Sequence, residues 1–331
     1  GGRRLASAGA RMVANSSRWG AVGILESLKK VLPVYLGYLG AKRELSAGAP
    51  GLCVPIDFGY VNVRLARHAR RAGWKVLYFS PPGAWRRDRQ GKDLPFVADE
   101  IVTPFPWSAE ILRSMGASAH FFGHPLKQMI RERLASVPAQ DRRGIAVLPG
   151  SRLHEIAQNL PIIAAALEDC TEPVEFGIAP SLDAGELRAL WESLSSRRSD
   201  AFCADDVYGA LARARVAIVC SGTATLEAAL CRCPMVVMYR FGRLAEVELR
   251  MRRVRPKYIS LPNILLDREV VPELIQQAAV PDRLTAEMNR LLADGPVRAQ
   301  QLGAFEELDQ ELGDSDAVTR AAELAIRLLS A

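Results

Sequence analysis

The chain has no apolar run long enough to cross a bilayer. Its longest apolar stretches, Ala210 to Cys220 and Pro234 to Tyr239, are short or broken by Arg, well under the ~20 residues a spanning helix needs. Any membrane contact is therefore peripheral. The 4 histidines form no cluster, and the 6 cysteines, at positions 53, 170, 203, 220, 231 and 233, contain no CxxC pair. Neither a zinc site nor a disulfide framework is indicated, and reduced, mostly buried thiols in a cytoplasm are expected. The front, Gly1-Gly2-Arg3-Arg4 and a small-residue stretch, lacks the apolar core of a secretory signal. Basic runs without interleaved aromatics, and no recognisable nucleic-acid module, argue against nucleic acid as a partner.

What is present describes an ordinary globular protein. The 331 residues, 49% hydrophobic and 24% charged, suffice for two domains. The formal charge of +6 is modest, but its arginines are unevenly placed. Arg64, Arg67, Arg70 and Arg71 form one run, Arg86, Arg87 and Arg89 a second, and Arg250, Arg252, Arg253, Arg255 and Lys257 a third. A solubilising surface is the plainer reading; anionic phosphates or an anionic lipid surface are the functional one.

Apolar runs alternate with amphipathic segments in the strand-then-helix rhythm of parallel sheets with crossover helices. In the first half the pattern predicts strands at Leu52 to Ile56, Lys75 to Phe79, Glu100 to Val102 and Ala119 to Phe122. Helices are predicted at Val22 to Leu32, Val61 to Ala72 and Ser108 to Ser114, and the polar stretch 136–143 reads as a linker. Strands resume at Gly144 to Leu148, Val174 to Ile178, Asp200 to Cys203, Val216 to Cys220 and Met235 to Tyr239, and Ala317 to Leu329 makes a final amphipathic helix. The expected fold class is α/β: two Rossmann-like doubly wound domains facing a cleft. Residues 1–138 form the first, 139–312 the second, and 313–331 a helix returning towards the first.

Two loops concentrate the chemistry. Leu148-Pro149-Gly150-Ser151-Arg152 follows one predicted strand, and Cys220-Ser221-Gly222-Thr223-Ala224-Thr225-Leu226-Glu227 follows another. Small residues between a strand and a helix leave backbone N–H groups and the positive end of the helix dipole for an anion. The pair suits a nucleotide's pyrophosphate.

Further motifs extend the pattern along the chain: Ile56-Asp57 with Asn62, Ser80-Pro81 with Ala84-Trp85-Arg86, Gly123-His124-Pro125, Glu155 after the first loop, Cys233-Pro234-Met235-Val236-Val237 with Tyr239-Arg240, and Tyr258-Ile259-Ser260-Leu261-Pro262-Asn263. In this order and spacing the chain resembles the lipid-A-disaccharide synthase family, inverting glycosyltransferases of the GT-B fold. The resemblance implies a UDP-activated, diacylated glucosamine as donor, bound by the second domain, and an acylated glucosamine 1-phosphate as acceptor, on the side of the first. The products implied are the β-1,6-linked disaccharide of lipopolysaccharide biosynthesis and UDP. The location implied is cytoplasmic and peripheral to the inner membrane. No cofactor and no metal are implied; arginine and helix amides can neutralise the diphosphate without a DxD-like pair in the cleft. A homodimer follows from resemblance alone.

Residue by residue, Asp57 is the expected general base for the acceptor hydroxyl, with capping of the next helix as the structural alternative. Arg152 is expected to pair with the diphosphate and stabilise the leaving group, or else to cap a loop at the surface. Gly150, Ser151, Ser221, Gly222, Thr223 and Ala224 are expected on the phosphates, with Ser221 also a candidate N-cap, and Glu227 on the ribose hydroxyls. Asn263 aligns with a donor-site asparagine, and a plain turn is the alternative. Gln276 and Gln277 are weaker candidates in an expected helix. His124 reads as structural. Val22, Ile24, Leu25 and Leu28 beside Lys29 and Lys30 make a helix for the core, for acyl chains or for a membrane surface.

Two departures from the family pattern stand out. The chain opens after the family's first strand and Gly-Glu-x-Ser-Gly-Asp loop, so a strand, a helix and part of the acceptor side are expected to be missing. The usual Pro-Asp-Phe-Asn has become Gly59-Tyr60-Val61-Asn62, which keeps Asp57 and replaces a second aspartate by Tyr60. The alternatives are a UDP-sugar-binding paralogue without catalysis, another UDP-hexosamine enzyme on the same fold, and a structural chain completed by a partner.

Overall fold

The computed structural model describes residues 2–16, 19, 24–137, 141–179, 182–197, 200–204, 206–220, 222–240, 242 and 257–330. The chain divides into two compact units, one of Gly1–Gln128 with Leu312–Ala331 and one of Met129–Glu311.

The first unit holds a four-stranded parallel sheet in chain order, β1 (Leu52–Cys53), β2 (Lys75–Phe79), β3 (Glu100–Thr103) and β4 (Ala119–Phe121). Val76, Leu77 and Tyr78 of β2 are all buried, as a parallel strand covered on both faces requires. Helix α3 (Gly59–Arg71) presents Ala66 and Ala69, both fully buried, to one core cluster with Val76 and Tyr78. Its arginines lie outward and pair locally: Arg67 with Asp93 at 3.2 Å and Arg70 with Asp99 at 3.4 Å. Such half-exposed pairs contribute about 0–1 kcal/mol each, so for these two arginines the plainer reading holds. The last helix, Ala317–Ser330, packs Ala321 and Leu324 against Leu77 and Val102.

Strand β1 is shorter than expected, with Ile56 joining Phe79 only through an isolated bridge. The predicted Val22–Leu32 helix is instead Ile24–Ala47, running through Pro33. Val22 and the side chains of Ile24, Leu25 and Leu28 lie outside what is described. Val31, Leu32, Tyr35 and Leu36 of this helix are exposed. Among the described residues no helix is long and apolar enough to cross a membrane.

Gly123, after β4, shows why one position must be glycine. Its φ is +99°, and a Cβ there would collide with the carbonyl oxygen of Asp314, while the next residue, His124, donates its N–H to the Leu312 carbonyl at 2.9 Å. Both the backbone conformation and the close approach exclude a side chain. Gly123→Ala is expected to destabilise the protein by about 3 kcal/mol, read from the urea unfolding midpoint. An unchanged midpoint would show that the 123–124 and 312–314 segments separate easily.

The second unit holds a six-stranded parallel sheet of β5 (Ile145–Leu148), β6 (Val174–Ile178), β7 (Ala201–Ala204), β8 (Val216–Val219), β9 (Met235–Tyr239) and β10 (Glu273–Ile275). Their order across the sheet is β10-β9-β8-β5-β6-β7. Its core gathers Ile145, Val147, Phe176, Trp191 and Ile218 with Ile156 and Leu160 of the Leu153–Leu167 helix. Strand β10 was not expected. It ends just before Gln276 and Gln277, which were read into a helix and instead form a single 3-10 turn with Ala278, with Gln276 at φ 54°. The expected linker is anchored as well: the Arg142 guanidinium donates to the carbonyls of Leu211 at 2.9 Å, Ala214 at 3.3 Å and Cys231 at 2.7 Å.

Candidate functional site

In the second unit the chain steps one way from β5 to β7, then returns to pair β8 with the other edge of β5 before continuing to β10. In open α/β sheets this reversal leaves a crevice outside the carboxyl ends of the two central strands, where ligands bind. Both sequence-derived loops leave those ends. Leu148 and Val219 are in register, and the Cys220 N–H donates to the Leu148 carbonyl at 3.0 Å.

After β5, Gly150 takes φ 112°, a conformation that favours glycine, and Ser151 is exposed at the turn. Arg152 is the N-cap residue of the Leu153–Leu167 helix, in extended backbone, and its side chain makes no cap hydrogen bond. Its guanidinium, one-third exposed, donates from Nη1 to Glu155 Oε1 at 2.7 Å. Glu155 is buried and hydrogen-bonded to Tyr239 at the end of β9. Burial, then the Glu155 charge, pushes the Tyr239 hydroxyl well above the usual tyrosine range. Asn159, one turn on and fully buried, donates to the Glu155 carbonyl at 2.8 Å and accepts the Arg240 N–H at 2.8 Å. Arg152 is thereby oriented from two elements, the Leu153–Leu167 helix and the end of β9, with the remaining guanidinium donors available for an anion.

After β8, Ser221 lies outside the described residues. Gly222 has φ 83°, and Gly222 and Thr223 are exposed ahead of helix Ala224–Leu230. The first N–H groups of a helix have no intrahelical acceptor. Glu227 is half-buried and accepts from the Tyr208 hydroxyl at 3.2 Å. Thr225 was not singled out, yet its buried hydroxyl donates to Gly222 at 2.8 Å and accepts from the Leu261 N–H at 3.0 Å. It ties the glycine turn to the Tyr258–Asn263 segment, where Gly222 and Ser260 form a bridge.

Asn263 requires a correction. Its Nδ2 donates to the Val271 carbonyl at 2.9 Å and to Glu273 Oε1 at 2.8 Å, and its Oδ1 accepts the N–H groups of Val270 at 2.7 Å and Val271 at 2.9 Å. The side chain is fully buried, and its hydrogen-bonding capacity is used within the fold. Asn263 therefore braces the segment beside Gly222 and has no donor left for a sugar. Glu273, on the unexpected strand, completes the brace by accepting from the Ile259 and Ser260 N–H groups and the Ser260 hydroxyl. Asn263→Ala is expected to cost about 3 kcal/mol, because it leaves several buried partners unmatched, measured by chemical unfolding with UDP absent. A variant as stable as the parent would return the residue to the list of direct contacts.

In the first unit, Asp57 follows β1 with φ 48°, and Phe58 follows it with φ 43°. Phe58, not Asp57, holds the N-cap position of α3, and no side-chain cap bond is made there. The capping alternative for Asp57 thus fails. The carboxylate is exposed. His124 is buried, accepts the Leu126 N–H at 3.2 Å, and is pushed down to about 4 by burial and by Lys127, consistent with a neutral structural histidine. Cys220 and Cys233 are buried and pushed up to about 12 by desolvation, so as inert thiols they match the expected chemistry.

A profile of lipid-A-disaccharide synthetase matches residues 1–325. The lipid-A-disaccharide synthase of Geobacter sulfurreducens is 32% identical over 343 residues, covering 99% of this chain and 88% of that protein. The chain belongs to the lipid-A-disaccharide synthase family. A second relative of that name, from Anaeromyxobacter dehalogenans, is 34% identical over 341 residues, with 98% and 87% covered. Among solved structures, S. aureus MnaA in its co-structure with UDP gives a TM-score of 0.61 at 10% identity, covering 94% of this chain and 84% of that one. The calicheamicin glycosyltransferase CalG4 gives 0.56 at 15% identity, covering 98% and 88%. These likenesses are of fold, which is GT-B. The family is one of hexosyltransferases.

Sequence reasoning missed Thr225, Asn159, Glu273 and the part played by Tyr239. The second threonine of Gly222-Thr223-Ala224-Thr225 was a signal for the first of these. Glu273 carried none, since its strand spans three residues with one buried side chain.

Proposed function

We propose that the protein transfers diacylglucosamine from UDP-2,3-diacylglucosamine to 2,3-diacylglucosamine 1-phosphate, with inversion, giving the β-1,6 lipid A disaccharide and UDP. The observation that carries this reading is the Arg152–Glu155–Tyr239 arrangement beside the Gly222 turn, at the point where the second sheet reverses.

The acceptor's 6-hydroxyl oxygen attacks the anomeric carbon while the Asp57 carboxylate takes its proton. The bond from the anomeric carbon to the phosphate oxygen breaks on the opposite face, and its electron pair leaves with UDP. Negative charge growing on the diphosphate is met by the Arg152 guanidinium and by backbone N–H groups of the Gly222–Ala224 turn, with Gly150 and Ser151 beside them. Glu227 accepts hydrogen bonds from the ribose. The exposed Val31, Leu32, Tyr35 and Leu36 of the long helix support peripheral docking at the inner-membrane surface, where acylated substrates reside.

The test is mass-detected conversion of the two acylated substrates by the purified chain. Disaccharide with one UDP released per linkage supports the reading. UDP binding without disaccharide overturns it in favour of a binding protein, and turnover of another UDP-hexosamine points to a different enzyme of this fold.

A further inference from the structure

Asp57 sits in a backbone conformation that residues other than glycine avoid, and so does its neighbour Phe58. Consecutive left-handed residues persist only when the surroundings over-determine them. The Asp57 peptide is held on three sides. Its N–H donates to the Phe79 carbonyl at 3.1 Å. Its carbonyl accepts the Tyr78 hydroxyl at 3.0 Å and the Asn62 Nδ2 at 2.9 Å, and the same Nδ2 donates to the Ile56 carbonyl at 2.8 Å. Tyr78 is fully buried in β2, and Asn62 stands on the first turn of α3. None of these bonds touches the carboxylate, which is left exposed.

This arrangement separates two demands on a general base. The carboxylate must be open to the acceptor hydroxyl, and none of the bonds above fixes it. Its position must then be set through the main chain. We infer that Tyr78 and Asn62 are positioning residues for Asp57, a two-point clamp on its carbonyl that holds the carboxylate in the transfer geometry. The inference rests on Asp57 as the base in the reaction proposed above. A base displaced by about 1 Å loses up to about 10²-fold in rate, whereas losing a neutral hydrogen bond within the first unit leaves UDP binding by the second alone.

The experiment compares Tyr78→Phe, Asn62→Ala and Asp57→Asn in the full chain, then places each clamp variant on the Asp57→Asn background. Tyr78→Phe keeps the buried ring and removes one hydroxyl, and it decides the matter should Asn62→Ala fail to fold. Expected are falls in kcat of about 5-fold for Tyr78→Phe and about 30-fold for Asn62→Ala, with the UDP dissociation constant unchanged. On the Asp57→Asn background both clamp changes should have no further effect on the residual rate, because groups acting through one residue are not additive with its loss. The inference is overturned by parental kcat in Tyr78→Phe, by equal losses with and without the Asp57 carboxylate, or by a matching loss of UDP affinity. Parental kcat in Asp57→Asn overturns the base assignment itself, and the clamp with it.

Discussion

Asp57→Asn is expected to lower disaccharide formation by about 10³-fold, the upper part of the range for a positioned general base, while UDP affinity and the thermal midpoint stay near the parent's. The amide has the carboxylate's shape and no basic oxygen pair, so it removes proton abstraction and little else. The usual objection, that an aspartate before a helix is a cap, predicts a loss of about 0.5–2 kcal/mol on substitution. That loss is not expected here, since α3 begins at Gly59, with Phe58 as its N-cap residue and no side-chain bond at that end. Rate and stability therefore respond to different hypotheses. A large rate loss with an unchanged midpoint supports the base; a rate within about tenfold of the parent's removes Asp57 from the role.

The legible parts of the fold were those where one physical signal dominates. Met235–Tyr239 came out at its expected limits because a parallel strand buried on both faces shows as an uninterrupted apolar run between helices, and Val174–Ile178 did so although Glu175 breaks its run. The turns at Gly150 and Gly222 were legible for the same reason, since small residues between a strand and a helix constrain the backbone whatever surrounds them. Where several weak signals compete, the sequence misled. Asn263 sat in a motif that looked like a ligand contact, but partners up to ten residues away, Val270, Val271 and Glu273, consume its side chain. Nothing local announces such a network. Arg142 read as part of a polar linker because its three carbonyl partners, at Leu211, Ala214 and Cys231, are far along the chain. The left-handed backbone at Asp57 was equally hidden: Tyr78 reads as plain core, and Asn62, though part of a motif with Asp57, carries no local sign of its bonds to the Ile56 and Asp57 carbonyls.

Arg152→Ala is expected to lower kcat by about 10²–10³-fold, with a smaller rise in the UDP dissociation constant. The difference arises because the diphosphate gains charge as the glycosidic bond to it breaks, so the guanidinium interacts more strongly in the transition state than with the bound donor. Arg152→Lys should recover only part of the loss: one arm of the guanidinium is engaged with Glu155 at 2.7 Å, and an ammonium cannot hold that carboxylate and reach the phosphates in a fixed fork. The competing view, a loop arginine at the surface, forecasts a different pattern. With the side chain one-third exposed, its ion pair with Glu155 contributes about 1 kcal/mol or less to stability, so a merely structural Arg152 would show a small fall in melting temperature and a parental kcat. Steady-state kinetics beside a melting curve separates the two. Loss of rate out of proportion to loss of stability assigns Arg152 to the leaving group, and the reverse leaves that charge to the backbone N–H groups of the Gly222 turn.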